Sequence, residues 1–384
     1  MKKVTYLGGL VFTAVMLLFI ACSAPAPKPA PTSAPPAAPA ASKPATGEDV
    51  AWQKVIDDAK KEGKVMIYAS AISPGAVKAL SDGFQSKYGI AAEWLTATGA
   101  GNLEKIKTEQ ASRAYSADLY FAGSGVWIPA KAAKVVTPLK DLPVAKEQGV
   151  WRTAPYSFDP QDQTFLMALD EAPVGGLGFF VNSKLVPPDK EPRTWQDLLD
   201  PQWKGKISMF DPSIGGPGAD IMVLLRRGKV VSADYFEKLA KQDPIFTRDY
   251  RGQLDALSRG DQAIGVGGAF GIFAPPLVDA GAPLKLLFPK EGVPIVGMAF
   301  AGVANAPHPN AARLFANWVF TKEGQDVWQK AAQGVSVRTD VTNYAAPYLR
   351  IPAGTPTFTH TWETLAQEQD EVKAGLAAKI FGIK

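Results

Sequence analysis

Small hydroxyl-bearing residues and glycines follow four apolar segments that are typical of buried strands, and each group stands just before a helical pattern. The residues in and beside these loops that could donate hydrogen bonds to a ligand are Ser70, Ser73, Thr98, Gly101, Asn102, Ser124, Ser213 and Gly215. In open α/β sheets, ligands bind beyond the carboxyl ends of strands, where free N–H groups and helix dipoles favour negative charge. One such loop alone is more typical of ordinary caps and turns. Four together predict a polar cleft for a small, anionic solute.

Three further side chains could take part in such a cleft. Arg248 could hold a carboxylate or phosphate through two parallel hydrogen bonds, or it could be a surface arginine paired with Asp243 or Asp249. If Arg248 meets a buried anion, we expect its replacement by alanine to weaken binding by about 2–5 kcal/mol. Trp127 and Phe270 could form an aromatic wall, although core packing is the better-supported interpretation of each.

Residues for catalysis, transition-metal binding or nucleic-acid binding are scarce. The chain has two histidines and one cysteine, which serve zinc poorly. It has no Gly-x-Ser-x-Gly elbow or His-Glu-x-x-His motif, and residues 265–268 lack the spacing of a dinucleotide loop. Its 41 basic and 37 acidic residues are too balanced to suggest nucleic-acid binding. We therefore expect a binding protein with no cofactor, metal site or catalytic residue. A secreted hydrolase or lyase and a purely structural lipoprotein are the alternatives.

Helical and strand patterns alternate from about residue 50 onward. In the first half, strands are predicted at 64–70, 90–95 and 117–121, with helices at 52–59, 77–88 and 103–111. In the second half, strands are predicted at 176–182, 206–210 and 263–266, with a helix at 216–227. Such alternation predicts an α/β fold with largely parallel sheets. An apolar stripe at helical spacing predicts a core-facing helix: Ala311, Leu314, Phe315, Trp318 and Val319.

The N-terminus has the pattern of an exported protein. Lys2 and Lys3 precede an uncharged apolar run, and residues 1–21 are predicted to be a signal peptide, with a retained membrane anchor as the alternative. Cys22 follows in a segment that resembles a bacterial lipobox, so we expect it to be lipidated rather than an unmodified thiol. Its acyl chains would attach the protein to a membrane. Residues 22–49, rich in Ala and Pro, are predicted to be a tether.

Four segments resemble bacterial periplasmic binding proteins of the ferric-ion-binding type. They are residues 194–207 (TWQDLLDPQWKGKI), 301–312 (AGVANAPHPNAA), 321–325 (TKEGQ) and 336–341 (SVRTDV). The resemblance implies an α/β, two-lobe periplasmic-binding-protein type II fold with hinge strands at 176–182 and 295–304. One lobe would comprise 50–178 with 294–345, and the other 183–290 with 346–384. The two lobes would close on a solute.

Iron-binding members of that group carry paired adjacent tyrosines near the strand that here reads AIGVGGAF, where no tyrosine stands. Ferric ion prefers phenolate and carboxylate oxygens, so this departure favours a small organic anion. Ferric capture through Tyr68, Tyr115, Tyr120 or Tyr156 is the alternative. The resemblance implies the extracytoplasmic capture subunit of an ATP-driven importer, in a periplasm or at the cell surface. It would be a monomer, held to the membrane at Cys22, that delivers its ligand to permease subunits.

Overall fold

The structure is a computed structural model, and it describes residues 47–152, 156, 160–169, 178–214, 216–268, 270–358 and 361–383. The predicted signal peptide, Cys22 and the tether up to residue 46 lie outside the described residues. Residues 47–49, which the sequence places in the tether, form the start of the first helix. Within the described ranges, no helix combines the length and the apolar character needed to cross a membrane.

The strands of the described residues alternate with helices along most of the chain. In chain order they are β1 (Lys64–Ala69), β2 (Ala91–Thr96), β3 (Leu119–Gly123), β4 (Val136–Thr137), β5 (Leu166–Leu169), β6 (Phe179–Asn182), β7 (Ile207–Phe210), β8 (Ile245–Thr247), β9 (Ile264–Val266), β10 (Leu284–Leu287), β11 (Val293–Pro294), β12 (Met298–Val303) and β13 (Thr357–Phe358). The six predicted strands correspond to β1, β2, β3, β6, β7 and β9, which confirms their existence and type.

The α-helices of the described residues have the following bounds. They are α1 (Gly47–Glu62), α2 (Pro74–Tyr88), α3 (Gly99–Ser112), α4 (Trp127–Ala132), α5 (Pro217–Arg227), α6 (Tyr235–Ala240), α7 (Tyr250–Arg259), α8 (Phe270–Phe273), α9 (Pro275–Asp279), α10 (Pro309–Phe320), α11 (Lys322–Ala332), α12 (Trp362–Glu371) and α13 (Ala377–Phe381). Short 3₁₀ segments include Ser124–Val126, Trp195–Leu199 and Pro201–Trp203, and a π-helical turn, Val372–Leu376, joins α12 to α13.

Two sheets organise the fold, and both mix strand directions. The first has the order β2-β1-β3-β12-β4, with β5 also paired to β12. Its strands β1, β2 and β3 are parallel, whereas β12 runs antiparallel to β3, β4 and β5. The second has the order β10-β6-β9-β7-β8, with β7 parallel to its neighbours and β6 antiparallel to both of its own. The expectation of largely parallel sheets is therefore correct only for the strand–helix–strand units.

We call the first sheet with α1–α4, α10 and α11 the first lobe, and the second sheet with α5–α9 the second lobe. The two predicted hinge segments are strands of different lobes: β6 belongs to the second sheet and β12 to the first. The lobe boundaries given by the resemblance stay a prediction. Both lobes belong to one compact unit, Thr46–Lys384.

The C-terminal segment lies against both lobes. Its strand β13 pairs with β11, and α13 packs on α6 of the second lobe. Phe381 of α13 contacts Phe246, with ring centroids 5.2 Å apart. By contrast, α12 contacts α5 of the second lobe and also α4 and the Ser124–Val126 turn of the first. This segment therefore bridges the two lobes next to the cleft between them.

The first core lies between the first sheet and α1, α2, α10 and α11. The predicted stripe of α10 is fully buried there, which confirms its core-facing role. Phe315 of this stripe meets Phe84 edge-on at 5.0 Å, and Trp318 packs on the same ring at 5.6 Å. Aromatic pairs at such distances add roughly 0.5–1.5 kcal/mol beyond the burial of their area.

The segment 301–312 stabilises the junction between α10 and the first sheet. Asp118, whose side chain is 0% exposed, accepts hydrogen bonds from the backbone N–H groups of Met66 and His308, both at 2.7 Å. Its Oδ2 atom also lies 2.9 Å from His308 Nδ1. At the start of α10, the Glu62 carboxylate accepts from the N–H of Ala311 at 2.7 Å. This motif therefore serves the fold of the first lobe.

Two other segments that carry the family resemblance, residues 194–207 and 336–341, also stabilise the fold. Thr194 and Asp197 form a reciprocal capping box at the start of the Trp195–Leu199 turn, and Trp195 is buried in the second core. Arg338 is buried in the first lobe, where its guanidinium hydrogen-bonds to Asp340. That guanidinium lowers the pKa of the Asp340 carboxyl.

Candidate functional site

A cavity of about 110 Å³ lies between the two lobes. The first lobe contributes small residues from three strand-end loops, the second lobe contributes aromatic and apolar residues, and the C-terminal segment contributes two polar side chains. The lining residues are Ser70, Ala71, Thr98, Gly99, Ala100, Gly123, Gly125, Val126, Phe210, Ile214, Gly216, Pro217, Asp220, Tyr250, Gly268, Ile272, Val296, Met298, Gln369 and Lys373.

The first-lobe side of the cavity is built around the N-terminus of α3. Thr98 caps that helix, since its Oγ1 accepts a hydrogen bond from the N–H of Gly101 at 3.1 Å. Gly99 packs so closely that an added Cβ would lie 3.2 Å from Val126 Cγ1. Because the first N–H groups of a helix lack intrahelical partners, this end favours an anionic ligand.

Two more predicted residues secure the end of β1. The N–H of Ser70 donates to the carbonyl of Phe121 at 2.9 Å. Ser70 also lines the cavity. Asn102 is buried, and its Nδ2 donates to the carbonyl of Ala69 at 3.0 Å. Its Oδ1 has no hydrogen-bond partner within the described residues. Ser70 therefore lines the cavity, whereas Asn102 lies behind the lining and holds the strand end in place.

The remaining predicted residues of the first lobe do not line this cavity. Ser73 caps α2 by accepting from the N–H of Ala76 at 3.2 Å, and the N–H of Gly101 is used by the Thr98 cap. Ser124 is buried, and its hydroxyl has no hydrogen-bond partner in the part of the chain that the structure describes. Trp127 is 0% exposed and packs at 4.9 Å from both the Tyr120 and Phe165 rings. The structure thus agrees with the core-packing interpretation of Trp127.

An aromatic stack forms the second-lobe side of the cavity. The Tyr250 ring lies parallel to Phe210 at 4.4 Å and to Phe273 at 6.1 Å. Burial raises the pKa of the Tyr250 hydroxyl, and nearby Asp220 raises it further. Gly218 brings the first turn of α5 directly against the end of β7, where an added Cβ would lie 2.1 Å from the Phe210 carbonyl oxygen. The N-terminus of α5 is therefore held at the cavity, through Gly216 and Pro217.

One carboxylate and one amine face the cavity from its remaining side. Asp220, in the first turn of α5, is 4% exposed and accepts a hydrogen bond from the side-chain amide of Gln369. Burial raises the pKa of the Asp220 carboxyl to about 7, although the Gln369 hydrogen bond and the charge of Lys373 act to lower it. The Lys373 ammonium lies 2.8 Å from the carboxylate of Asp370, which is mostly exposed.

Arg248 lies at the outer side of the cleft rather than in the cavity. Its side chain is 58% exposed, and its Nε donates to Oδ2 of Asp211 at 2.7 Å. The sequence suggested Asp243 or Asp249 as the partner, but Arg248 pairs with Asp211. Asp211 directly follows β7 and Arg248 directly follows β8, and these two strands are neighbours in the second sheet. Although burial acts to raise it, hydrogen bonds from Ser213 and Arg248 hold the pKa of Asp211 below its usual range.

Ser213 is used within its own loop, and two predicted residues fall outside what can be described. The N–H and hydroxyl of Ser213 both donate to Oδ1 of Asp211, at 2.8 and 2.6 Å. Gly215 lies outside the described residues. Phe270 belongs to α8, but its side chain lies outside the described part of the structure.

An outer depression adjoins the cavity on the side of Arg248. It has a volume of about 570 Å³ and shares Ala71, Thr98 and Tyr250 with the cavity. Its charged lining residues are Lys78, Arg248 and Arg251, with one carboxylate, Asp249. A ligand that enters along this side therefore passes cationic side chains before it reaches the cavity.

The tyrosines considered for iron are dispersed and engaged elsewhere. Tyr68 donates to Oε1 of Glu109 at 2.6 Å, and Tyr120 donates to the carbonyl of Gly99 at 2.6 Å. Tyr156 donates to the carbonyl of Leu139, while Tyr115 is partly exposed. None of the four lines the cavity. Within the described residues, no group of three or more His, Cys, Asp or Glu side chains could hold a metal ion.

The sequence reasoning missed the apolar lining and four lining residues with polar side chains: Asp220, Tyr250, Gln369 and Lys373. Asp220 carried a signal, since it is the one acidic residue in the otherwise apolar start of the predicted helix 216–227. Gln369 and Lys373 carried none, because they lie in a polar C-terminal helix that shows no strand-end context. Their position depends on how α12 packs across the cleft.

Known structures share this fold. The periplasmic binding protein AfuA from Actinobacillus pleuropneumoniae, with exogenous fructose 6-phosphate bound, is 21% identical; the match covers 84% of this chain and 99% of AfuA with a TM-score of 0.67. Iron-bound HitA from Pseudomonas aeruginosa is 16% identical, with 83% and 99% coverage and a TM-score of 0.63. At these identities the similarity shows the fold alone, which is the type II periplasmic-binding-protein fold predicted above.

Sequence comparisons identify the family. An uncharacterized protein of Haemophilus influenzae is 25% identical over 304 residues, which cover 76% of this chain and 83% of the relative. The sequence profile of the bacterial extracellular solute-binding proteins matches residues 166–367. That match covers the second sheet with α5–α9, then β12, α10 and α11, and the first part of α12. Since it spans more than half of the sequence, the chain belongs to the family of bacterial extracellular solute-binding proteins.

Proposed function

We propose that this chain is the lipid-anchored, extracytoplasmic solute-binding subunit of an ATP-driven importer, and that it captures a small organic anion between its lobes. The observation that carries the proposal is the meeting of two helix N-termini, those of α3 and α5, at one cavity between the lobes. Each N-terminus adds N–H donors and a positive partial charge. Capture by lobe closure is a shift toward the closed state, driven by contacts that the ligand makes only there.

The charges around the cavity support an anionic ligand. Lys373 lines the cavity beside one carboxylate, Asp220. The outer depression is lined by three cationic side chains, Lys78, Arg248 and Arg251, and by one carboxylate, Asp249. AfuA, which shares the fold, has a sugar phosphate bound. A solved structure of the same fold from Agrobacterium tumefaciens is the substrate-binding protein of an ABC transporter, which supports the proposed role with a permease.

Ligand capture is tested with the full chain purified in detergent. Native mass spectrometry should reveal a co-purified organic anion, or fructose 6-phosphate should raise the Tm by several degrees, because ligand at 100 times its Kd stabilises a protein by ~2.7 kcal/mol. Fructose is the matched uncharged control and should have no effect. A coloured complex and a raised Tm with ferric citrate alone would favour iron capture instead. No stabilisation by any organic anion would contradict the proposal.

The lipid anchor is tested at Cys22. Replacement by serine should move the chain from the membrane to the soluble fraction and abolish incorporation of labelled palmitate, since the thiol is the acylation site. Ser23→Ala, the adjacent substitution, should leave both unchanged. Retention of Cys22→Ser on the membrane would contradict a lipid anchor at this residue.

A further inference from the structure

The C-terminal segment completes the cavity from the side that neither sheet provides. Gln369 and Lys373 line the cavity, although both lie more than 80 residues after β10, the last strand of the second sheet. Gln369 lies on α12, which contacts both lobes, and Lys373 lies in the π-helical turn that follows it. Gly125 of the first lobe makes room for this approach, since an added Cβ there would lie 2.2 Å from Gln369 Oε1. The Gln369 side chain of α12 therefore packs against the backbone of Gly125, in the turn that follows β3.

Asp220 keeps unused acceptor capacity at this side of the cavity. Its carboxylate is buried, and among the described residues the Gln369 amide is the hydrogen-bond donor found for it. An ionised carboxylate has about four acceptor positions. A buried acceptor that lacks a hydrogen bond costs free energy. A ligand that donates a hydrogen bond to Asp220 is therefore favoured over one that does not.

Lys373 supplies the opposite charge beside Asp220. Its partner, Asp370, is 74% exposed, whereas the Lys373 side chain is 31% exposed and reaches the cavity. An ion pair with so exposed a carboxylate is weak, since solvent screens it. The ammonium can therefore exchange this partner for an anionic group of a ligand without losing much stability. The same side of the cavity thus holds one acceptor and one cation.

We propose that Asp220 and Lys373 are specificity-determining ligand contacts, which select small organic anions that also carry a hydroxyl or ammonium donor. The inference rests on the proposed function and narrows its substrate class. The anionic group lies toward Lys373 and the helix N-termini, and the donor lies on Asp220. Where Asp220 is ionised, an anion of the same size without a donor leaves the buried carboxylate facing a like charge, which opposes binding.

Matched ligand pairs test this selection. The probes are glycerol 3-phosphate against propyl phosphate, and lactate against propionate. Binding is measured by calorimetry on the full chain in detergent after exhaustive dialysis, at about pH 8, which lies above the Asp220 pKa of about 7, so that the carboxylate is ionised. Within at least one pair, the wild-type chain should prefer the hydroxylated probe by about tenfold or more. Asp220→Ala should remove this preference and bind the probe without hydroxyls at least as tightly as the wild type does. Lys373→Met should weaken both members of the pair by a similar factor.

Two exposed residues of the second lobe and C-terminal segment provide matched controls. Asp234, at the start of α6, and Lys379, on α13, are both exposed and lie away from the cavity. Asp234→Ala and Lys379→Met should leave both affinities unchanged. Circular dichroism and the Tm of each variant show whether that variant is folded. If Asp220→Ala does not fold, Asp220→Asn, which has nearly the same shape as the wild-type side chain, replaces it in the test.

The outcomes separate the two levels of the proposal. Equal affinity of the wild-type chain for both members of every pair that binds, or an unchanged preference in both Asp220 variants, would overturn the inference and leave anion capture standing. Absence of binding by fructose 6-phosphate and by all four probes would overturn anion capture, and the inference with it. A preference that disappears in the Asp220 variants but not in the controls would establish the inference.

Discussion

Asp118 in the first lobe and Asp220 in the second are both buried aspartates, but their surroundings differ. Asp118 accepts hydrogen bonds from two backbone N–H groups and lies 2.9 Å from a histidine nitrogen. Asp220 lies at the cavity between the lobes and accepts from one side-chain amide. The hydrogen bonds of the Asp118 carboxylate come from the backbone around it. The Asp220 carboxylate can still accept further hydrogen bonds, and it lies at a cavity that a ligand can enter.

This difference separates a structural acid from a candidate ligand contact. Burial of a carboxylate is costly unless hydrogen bonds compensate, and Asp118 is compensated by the backbone of β1 and the start of α10. At Asp220 burial instead raises the pKa to about 7. A strongly shifted pKa in a cleft is typical of functional positions, although structural networks also produce such shifts. Geometry therefore decides the interpretation, and three experiments test it.

Removal of the structural carboxylate should have the largest effect on stability. Asp118→Ala leaves the N–H groups of Met66 and His308 without their acceptor in a buried site, at about 1–3 kcal/mol for each group. We expect the free energy of unfolding at pH 7 to fall by roughly 3–5 kcal/mol, measured by urea titration. Asp82→Ala, on the exposed face of α2, is the control and should change it little. A loss below about 1 kcal/mol would mean that Asp118 is not a structural acid.

Asp220 should instead make stability depend on pH. Its folded pKa of about 7 exceeds the ordinary aspartate pKa of 3.8, so between these values the folded state binds a proton that the unfolded state has released. Stability from this group is therefore complete below pH ~4 and is lost as the pH rises to about 7, at roughly 1 kcal/mol per pH unit.

The comparison of wild type with Asp220→Asn isolates this contribution, because other carboxylates titrate alike in both proteins. The difference in unfolding free energy, wild type minus variant, should decline between pH 4 and 7 and then level off. Urea titrations at half-unit pH intervals measure it, with Asp234→Asn as the exposed control. A difference that stays constant across this range would show that Asp220 is not protonated in the folded protein near neutral pH.

Arg248 should give the smallest effect, because its guanidinium is mostly exposed, although its partner Asp211 is buried. Partly exposed ion pairs contribute about 0–1 kcal/mol, and Ser213 continues to donate to Asp211 after Arg248→Ala. We expect stability to change by less than about 1 kcal/mol and the association rate of an anionic ligand to fall a few-fold, more so at low salt. Arg259→Ala, far from the cleft, is the control.

That expectation replaces the larger one drawn from the sequence alone. A loss of 2–5 kcal/mol in binding would apply if Arg248 met a buried anion, and stopped-flow association rates together with equilibrium affinities distinguish the two cases. A large loss in affinity with no change in association rate would show that lobe closure brings Arg248 to the ligand.

Much of the local structure could be predicted from sequence, because periodicity and caps act over a few residues. The stripe at Phe315 and Trp318 predicted α10, and the predicted helix at 77–88 corresponds to α2, which Gly89 ends in the left-handed conformation at φ 74°. Antiparallel pairing by β12 was not predicted, since it joins residues 298–303 to 119–123. Pairing across so many residues depends on the path of the chain between lobes, which local pattern does not contain.

The candidate site was predicted in part, for the same reason. Ser70 and Thr98 follow strands of one parallel unit, and both line the cavity, although their role as ligand contacts stays a prediction. Ser73 and Ser213, by contrast, have the same residue type and context but are used by a cap and by Asp211. Whether a hydroxyl faces a ligand or its own loop depends on side-chain direction, which composition does not specify.

The sequence by itself determined that this is an α/β chain whose strand-end loops carry hydrogen-bond donors for ligand oxygen atoms, and its motifs indicated the family. Those features follow from local propensity, burial periodicity and short spacing. Only the tertiary structure decided that the family motifs around Asp118 and Arg338 support the fold, and that Asp220 and Lys373 meet at the cavity. Such contacts join distant segments, and they form because α12 packs across both lobes.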